Sequence, residues 1–128
     1  MGDSRDPSHG TIRRLLEAEP GLLIIPAPVT AEVDYLVRQR GGPRAARKFL
    51  EDLAEERFRV AALTVEEYTL ALAVHDRYAG LSLGLADLSV VVLAFRYRTT
   101  RLLTFDERDF RQVTPLQGGS FTLLPADL

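Results

Sequence analysis

Apolar positions along the chain alternate between short continuous runs and stripes at helical spacing. Asp6-Pro7 reads as a helix start, with Asp6 as N-cap, Pro7 at the first helical position and Ile12, Leu15 and Leu16 on one face. Pro20-Gly21 breaks that helix, and Leu22-Leu23-Ile24-Ile25 has the pattern of a short strand buried on both faces. Pro26-Ala27-Pro28 leads into a second helix reaching about Gln39, with Val29, Val33, Leu36 and Val37 as its apolar stripe and Glu32 in its first turns. Gly41-Gly42-Pro43 separates it from a third, in which Ala46, Phe49, Leu50 and Leu53 are expected to face inward. Phe58 to Ala62 reads as a strand. Thr64 and Glu67 form a capping box that opens a helix to about Tyr78, ended by Gly80.

The run from Leu83 to Phe95 is the most apolar of all. Leu85, Leu88, Val91, Val92 and Phe95 recur at helical spacing while Leu83, Val90 and Leu93 fill the other faces, so this helix is predicted to be packed on most sides. Arg101 to Phe105 follows as a strand, Asp106 to Phe110 as a loop or short helix, and Phe121 to Leu124 as a last strand. Strands alternating with amphipathic helices predict an α/β fold, a mainly parallel sheet flanked by helices.

Composition narrows the chemistry. With 128 residues, 46% of them hydrophobic, one domain spanning residues 1–128 is expected. There is no cysteine, so any metal must be held by oxygen or histidine. The first residues are polar and no apolar run is long enough to cross a bilayer, which makes a cytoplasmic protein the simplest expectation. A net charge of −2 argues against general attraction to nucleic acid, although a local arginine patch beside a metal ion can still hold a phosphate backbone. Of the 16 basic residues only Lys48 is lysine, and codon bias explains that as well as phosphate binding does.

Three acids stand out by position. Glu32 follows the strand at residues 22–25, Asp106 follows the strand at residues 102–104, and Asp87 lies in the first turn of the most apolar helix. Strand carboxyl ends and the helix starts that follow them gather on one edge of a parallel sheet, where ligands bind, so all three are expected to converge there. A charged carboxylate in a largely dry helix needs a partner, a cap role or a cation, and Asp87 fits either a helix cap or a functional acid. Clustered carboxylates repel one another unless a cation neutralises them. Oxygen donors alone suit Mg²⁺ or Mn²⁺, ions that support phosphodiester cleavage. Asp34 is expected to be solvated, and Asp109 is either a second acid near Asp106 or a surface cap. Thr104 and Ser89 are read as making local hydrogen bonds, and His9 and His75 lack partners at ligand spacing. No Gly-rich phosphate-binding loop occurs.

Three segments carry a resemblance: Pro26-Ala27-Pro28-Val29-Thr30-Ala31-Glu32-Val33-Asp34-Tyr35-Leu36, Gly84-Leu85-Ala86-Asp87-Leu88-Ser89-Val90-Val91 and Leu103-Thr104-Phe105-Asp106-Glu107-Arg108-Asp109-Phe110. In this order they resemble the acidic motifs of PIN-domain ribonucleases of the VapC toxin type. The likeness extends to the ending Gly118-Gly119-Ser120-Phe121-Thr122-Leu123-Leu124-Pro125. It implies a metal-dependent endoribonuclease, the toxin of a type II toxin–antitoxin pair, with Glu32, Asp87 and Asp106 as metal-site acids. It also implies a homodimer, an RNA substrate and a cognate antitoxin whose segment fills the active-site groove. Tyr35, Leu36 and the helix from Pro43 to Leu53 are the expected association surface.

One departure accompanies the resemblance. The family begins with a central strand ending in Asp-Thr or Asp-Ser that supplies its first catalytic aspartate, whereas Met1 to Pro7 aligns with the loop after that segment. The sequence as written is therefore expected to lack that strand and that acid, and to be a weak or inactive ribonuclease unless an upstream segment or another chain completes the sheet. A PIN-like module that only binds a partner is the competing expectation. A flavodoxin-like domain is the third, and it would need a phosphate loop that the sequence does not carry.

Overall fold

A parallel pair of four-residue strands opens the described part of the chain, which in this computed structural model comprises residues 23–103, 107–124 and 126–127. The expected helix after Asp6, and the residues Leu22, Thr104, Phe105 and Asp106, lie outside it. The chain divides into two compact units, residues 1–61 and 62–128.

In the first unit, β1 (Leu23–Pro26) pairs in parallel with β2 (Phe58–Ala61), Leu23 opposite Phe58 and Pro26 opposite Ala61. Between them runs α1 (Ala27–Ala54), as a crossover joining parallel strands requires. The expected break between two helices is present as a kink. Gly42 has φ 72° and ψ −168°, a backbone region essentially reserved for glycine, and Pro43 starts the second arm with its φ already suited to a helix. Ile25, Ala46, Phe49 and Ala61 are buried, and the Phe49 and Phe58 rings pack with centroids 6.1 Å apart.

Two expectations for this unit need correction. Of β1 only Ile25 is fully buried, because among the described residues β1 has a neighbouring strand along one edge alone. Leu50, expected inside, is 65% exposed, and Leu53 is only half-buried, because the second arm presents mainly its Ala46 and Phe49 face to the strands.

The second unit begins with α2 (Val65–Arg77), opened by the expected capping box. The Thr64 hydroxyl accepts the Glu67 N–H at 3.1 Å and the Glu67 carboxylate accepts the Thr64 N–H at 2.9 Å. The helix runs to Arg77 with Tyr78 as its C-cap, as expected, while Gly80, expected to end it, lies within a 3₁₀ turn, Ala79–Leu81. α3 (Leu85–Arg96) follows, with Leu88, Ser89, Val91, Val92, Leu93 and Ala94 buried. Its centre is packed as the sequence predicts, while Leu85 and Phe95 at its ends are exposed. β3 (Arg101–Leu103) pairs in parallel with β4 (Thr122–Leu124), and α4 (Glu107–Gln112) lies between them in sequence. Phe110 and Phe121 meet edge to face, and Leu123 is fully buried. No helix among the described residues is long and apolar enough to cross a membrane.

Candidate functional site

Gly84 is the N-cap of α3, which places Asp87 in the first turn at the third helical position. There the free N–H groups and the helix dipole favour a negative charge. Asp87 is half-buried rather than enclosed, which corrects the expectation of a largely dry carboxylate. The turn that holds it projects beyond the packed centre of the helix, with Leu85 51% exposed beside it. Nor is Asp87 the capping residue, since Gly84 occupies that position. Two residues further on, the Ser89 hydroxyl is completely buried and donates to the Ala86 carbonyl at 2.6 Å, the local bond expected of it.

Asp106 lies outside the described residues, but its neighbours frame its position in the chain. β3 ends at Leu103 and α4 begins at Glu107, so the segment carrying Asp106 joins the carboxyl end of a parallel strand to a helix. Asp109 is half-buried on α4, its carboxylate 4.0 Å from the Arg108 guanidinium.

A carboxylate at the penultimate position of the chain braces α4. Asp127 accepts the Leu123 N–H at 2.7 Å and an Arg111 guanidinium N–H at 2.9 Å, and Arg111 holds its carboxyl below the usual range. Sixteen residues separate the two partners, and no local pattern in the sequence announces the pair.

Glu32, in the first unit, is exposed on the second turn of α1. Ala31, Tyr35 and Leu36 form an open recess of about 400 Å³ around it. Asp34 is partly solvated as expected, 3.9 Å from Arg38. His75 is exposed beside Asp76, while His9 lies outside the described residues. No three acidic or histidine side chains among the described residues form a metal-holding group. Glu32 lies in the first unit and Asp87 in the second, and Asp106 lies outside the described residues.

The sequence from residue 3 to residue 115 matches the PIN domain. This chain belongs to the PIN-domain family, in its VapC type. Ribonuclease VapC26 of Mycobacterium tuberculosis (strain ATCC 25618 / H37Rv) is 35% identical to it over 123 residues, covering 96% of this chain and 91% of that protein. Among solved structures, the chain is similar to M. tuberculosis VapC20, a sarcin-ricin loop cleaving toxin, with a TM-score of 0.70 at 22% identity. That match covers 84% of this chain and 82% of VapC20. VapBC2 from Rickettsia felis, solved bound to a DNA fragment from its promoter, matches with a TM-score of 0.60 at 18% identity, covering 92% of this chain and 85% of that one. These two likenesses establish the PIN fold, in agreement with the expected arrangement of parallel strands and flanking helices.

Proposed function

We propose that this PIN-domain chain is a metal-dependent endoribonuclease, the toxin of a type II toxin–antitoxin pair, with Glu32, Asp87 and Asp106 as the acids of one site in a single domain. The observation that carries this reading is the 35% identity to Ribonuclease VapC26 over nearly the full length of both chains. Supporting it locally, Asp87 stands where a helix start favours anionic groups, and Asp106 follows a parallel strand. Three carboxylates in a chain without cysteine fit a hard divalent cation such as Mg²⁺ or Mn²⁺ better than a thiolate-seeking one. Such an ion, when bound, supplies an activated water and charge stabilisation at the scissile phosphate. The chain's part is to hold the acids still. The buried Leu88, Val91 and Val92 fix α3, and Ser89 ties down the turn that presents Asp87.

The reading includes a cytoplasmic location, a cognate antitoxin as partner and a pair of identical chains. For self-association the support is an exposed apolar stripe on α2, where Val65, Tyr68 and Leu72 fall on one face. The Tyr35, Leu36 and 43–53 surface expected from the sequence is exposed as well, at Tyr35, Leu36 and Leu50. Light scattering at micromolar concentration should give a dimeric mass, and a monomeric one would contradict the pairing.

The decisive experiment incubates the chain with RNA in Mg²⁺, in Mn²⁺ and in EDTA. Weak cleavage with either ion and none in EDTA is expected. Cleavage indifferent to EDTA would overturn the metal mechanism, and no cleavage under any condition would leave the partner-binding module as the better account.

A further inference from the structure

The Gly42 kink makes an elbow in α1 whose charge is unlike that of the rest of the chain. Residues 38 to 48 hold four arginines and one lysine and no acid, five of the chain's 16 basic residues, although the chain as a whole carries −2. All five are exposed. Asp34, Glu51 and Asp52, the acids that pair with Arg38, Arg47 and Lys48, lie one turn away along the two arms. Arg40 and Arg44 stand immediately on either side of the Gly41-Gly42-Pro43 turn. Beside the elbow, the Tyr35 ring is 61% exposed, and Gln39 one turn on donates to its hydroxyl at 2.8 Å. Tyr35 in turn sits one turn beyond Glu32 on the same face, in the same recess.

We infer that the outer face of α1 is a binding track for single-stranded RNA, with Tyr35 as a stacking platform for a base and Arg40 and Arg44 at the elbow as phosphate contacts. This rests on the ribonuclease reading for the role of Glu32, but not for the binding itself. The geometry suits a strand. The eight helical steps from Glu32 to Arg40 rise about 12 Å, enough for a strand to pass the ring and reach the elbow. The chemistry suits one as well, since exposed arginines contact phosphate and an exposed aromatic ring stacks on any base regardless of sequence. Screening confines the attraction to the elbow's own neighbourhood, within about 8 Å at physiological salt, so a negative net charge does not cancel it.

The test is fluorescence anisotropy with a labelled 12-nucleotide single-stranded RNA of mixed sequence, in EDTA so that no cleavage intervenes, over a series of salt concentrations. Arg40→Gln with Arg44→Gln should weaken binding and flatten the plot of log affinity against log salt by about 0.7 for each phosphate no longer neutralised. Arg40→Lys with Arg44→Lys should keep the slope. Tyr35→Ala should weaken binding about tenfold at every salt concentration with the slope unchanged, and Tyr35→Phe should restore it. These side chains are exposed, and a circular dichroism melt matching that of the parent chain verifies that each variant is folded. An unchanged affinity and slope in the double Gln variant would overturn the inference. So would a parent chain that fails to bind the RNA, or a double Gln variant that loses affinity only for an acidic polypeptide such as polyglutamate, which would mark the elbow as a protein-binding surface. A chain that binds RNA through these residues yet never cleaves it would overturn the ribonuclease reading and leave the track standing.

Discussion

Replacing Glu67 by Gln removes one charge from a polar cluster that joins α2 to α3. The Glu67 carboxylate accepts Arg96 Nε at 2.8 Å and a second, closer contact from Arg96 Nη2, which also donates to the Ala62 carbonyl at 2.6 Å. The Arg96 guanidinium holds the Glu67 carboxyl down to about 2, against burial that pushes it up and with help from the Thr64 N–H. A carboxyl lowered from 4.5 to about 2 on folding corresponds to ~3 kcal/mol at neutral pH. The Arg96 side chain is 30% exposed, so water screens the pair and ~1–2 kcal/mol is the expected net effect. Because the folded value lies below the unfolded one, this contribution is complete above about pH 4.5 and disappears as the pH falls towards about 2. Gln retains a carbonyl for the Thr64 N–H, so the capping box survives and the substitution isolates the arginine pair. Urea unfolding of the parent chain and Glu67→Gln at pH 7, 5, 4 and 3 should give a gap of ~1–2 kcal/mol that narrows below about pH 4.5. No gap at pH 7, or an undiminished gap at pH 3, would refute the reasoning.

Gly42→Ala should lower stability by ~1–3 kcal/mol in the same assay, because alanine must adopt φ 72° and ψ −168° although nothing lies within 4 Å of the added methyl group. A change within a few tenths of a kcal/mol would mean that the kink relaxes. Asp127→Asn should speed hydrogen exchange at the Leu123 amide by weakening both the Arg111 pair and the bond to that N–H. Unchanged exchange would show that β4 does not depend on this carboxylate.

The helices and strands are readable because local chemistry decides them. The Thr64 and Glu67 box, the Gly42-Pro43 break and the apolar faces of α3 each lie within a few residues of sequence. What escapes reading joins distant residues or depends on how far an element projects. Arg96 reaches Glu67 across 29 positions and Arg111 reaches Asp127 across 16, spans over which side-chain pairing leaves no periodic mark. Helical faces alone put Asp87 and Leu50 inside, but the first turn of α3 and the second arm of α1 extend past the packing that those faces suggest. The basic elbow is visible as a run of arginines, yet pooled net charge hides it. The three candidate acids come from placement after strands and at helix starts, a rule that names an edge of the sheet without fixing a distance.

Whether Glu32, Asp87 and Asp106 act together in one hydrolytic site is tested most directly by RNA cleavage rates of Glu32→Gln, Asp87→Asn and Asp106→Asn, singly and in pairs, with saturating Mg²⁺ or Mn²⁺. Each single variant should lose about a hundredfold or more, and each pair should lose little beyond its worse member, because groups that act as one unit are not additive. A single variant that cleaves at the parent rate, or pairs whose losses multiply, would contradict a shared site.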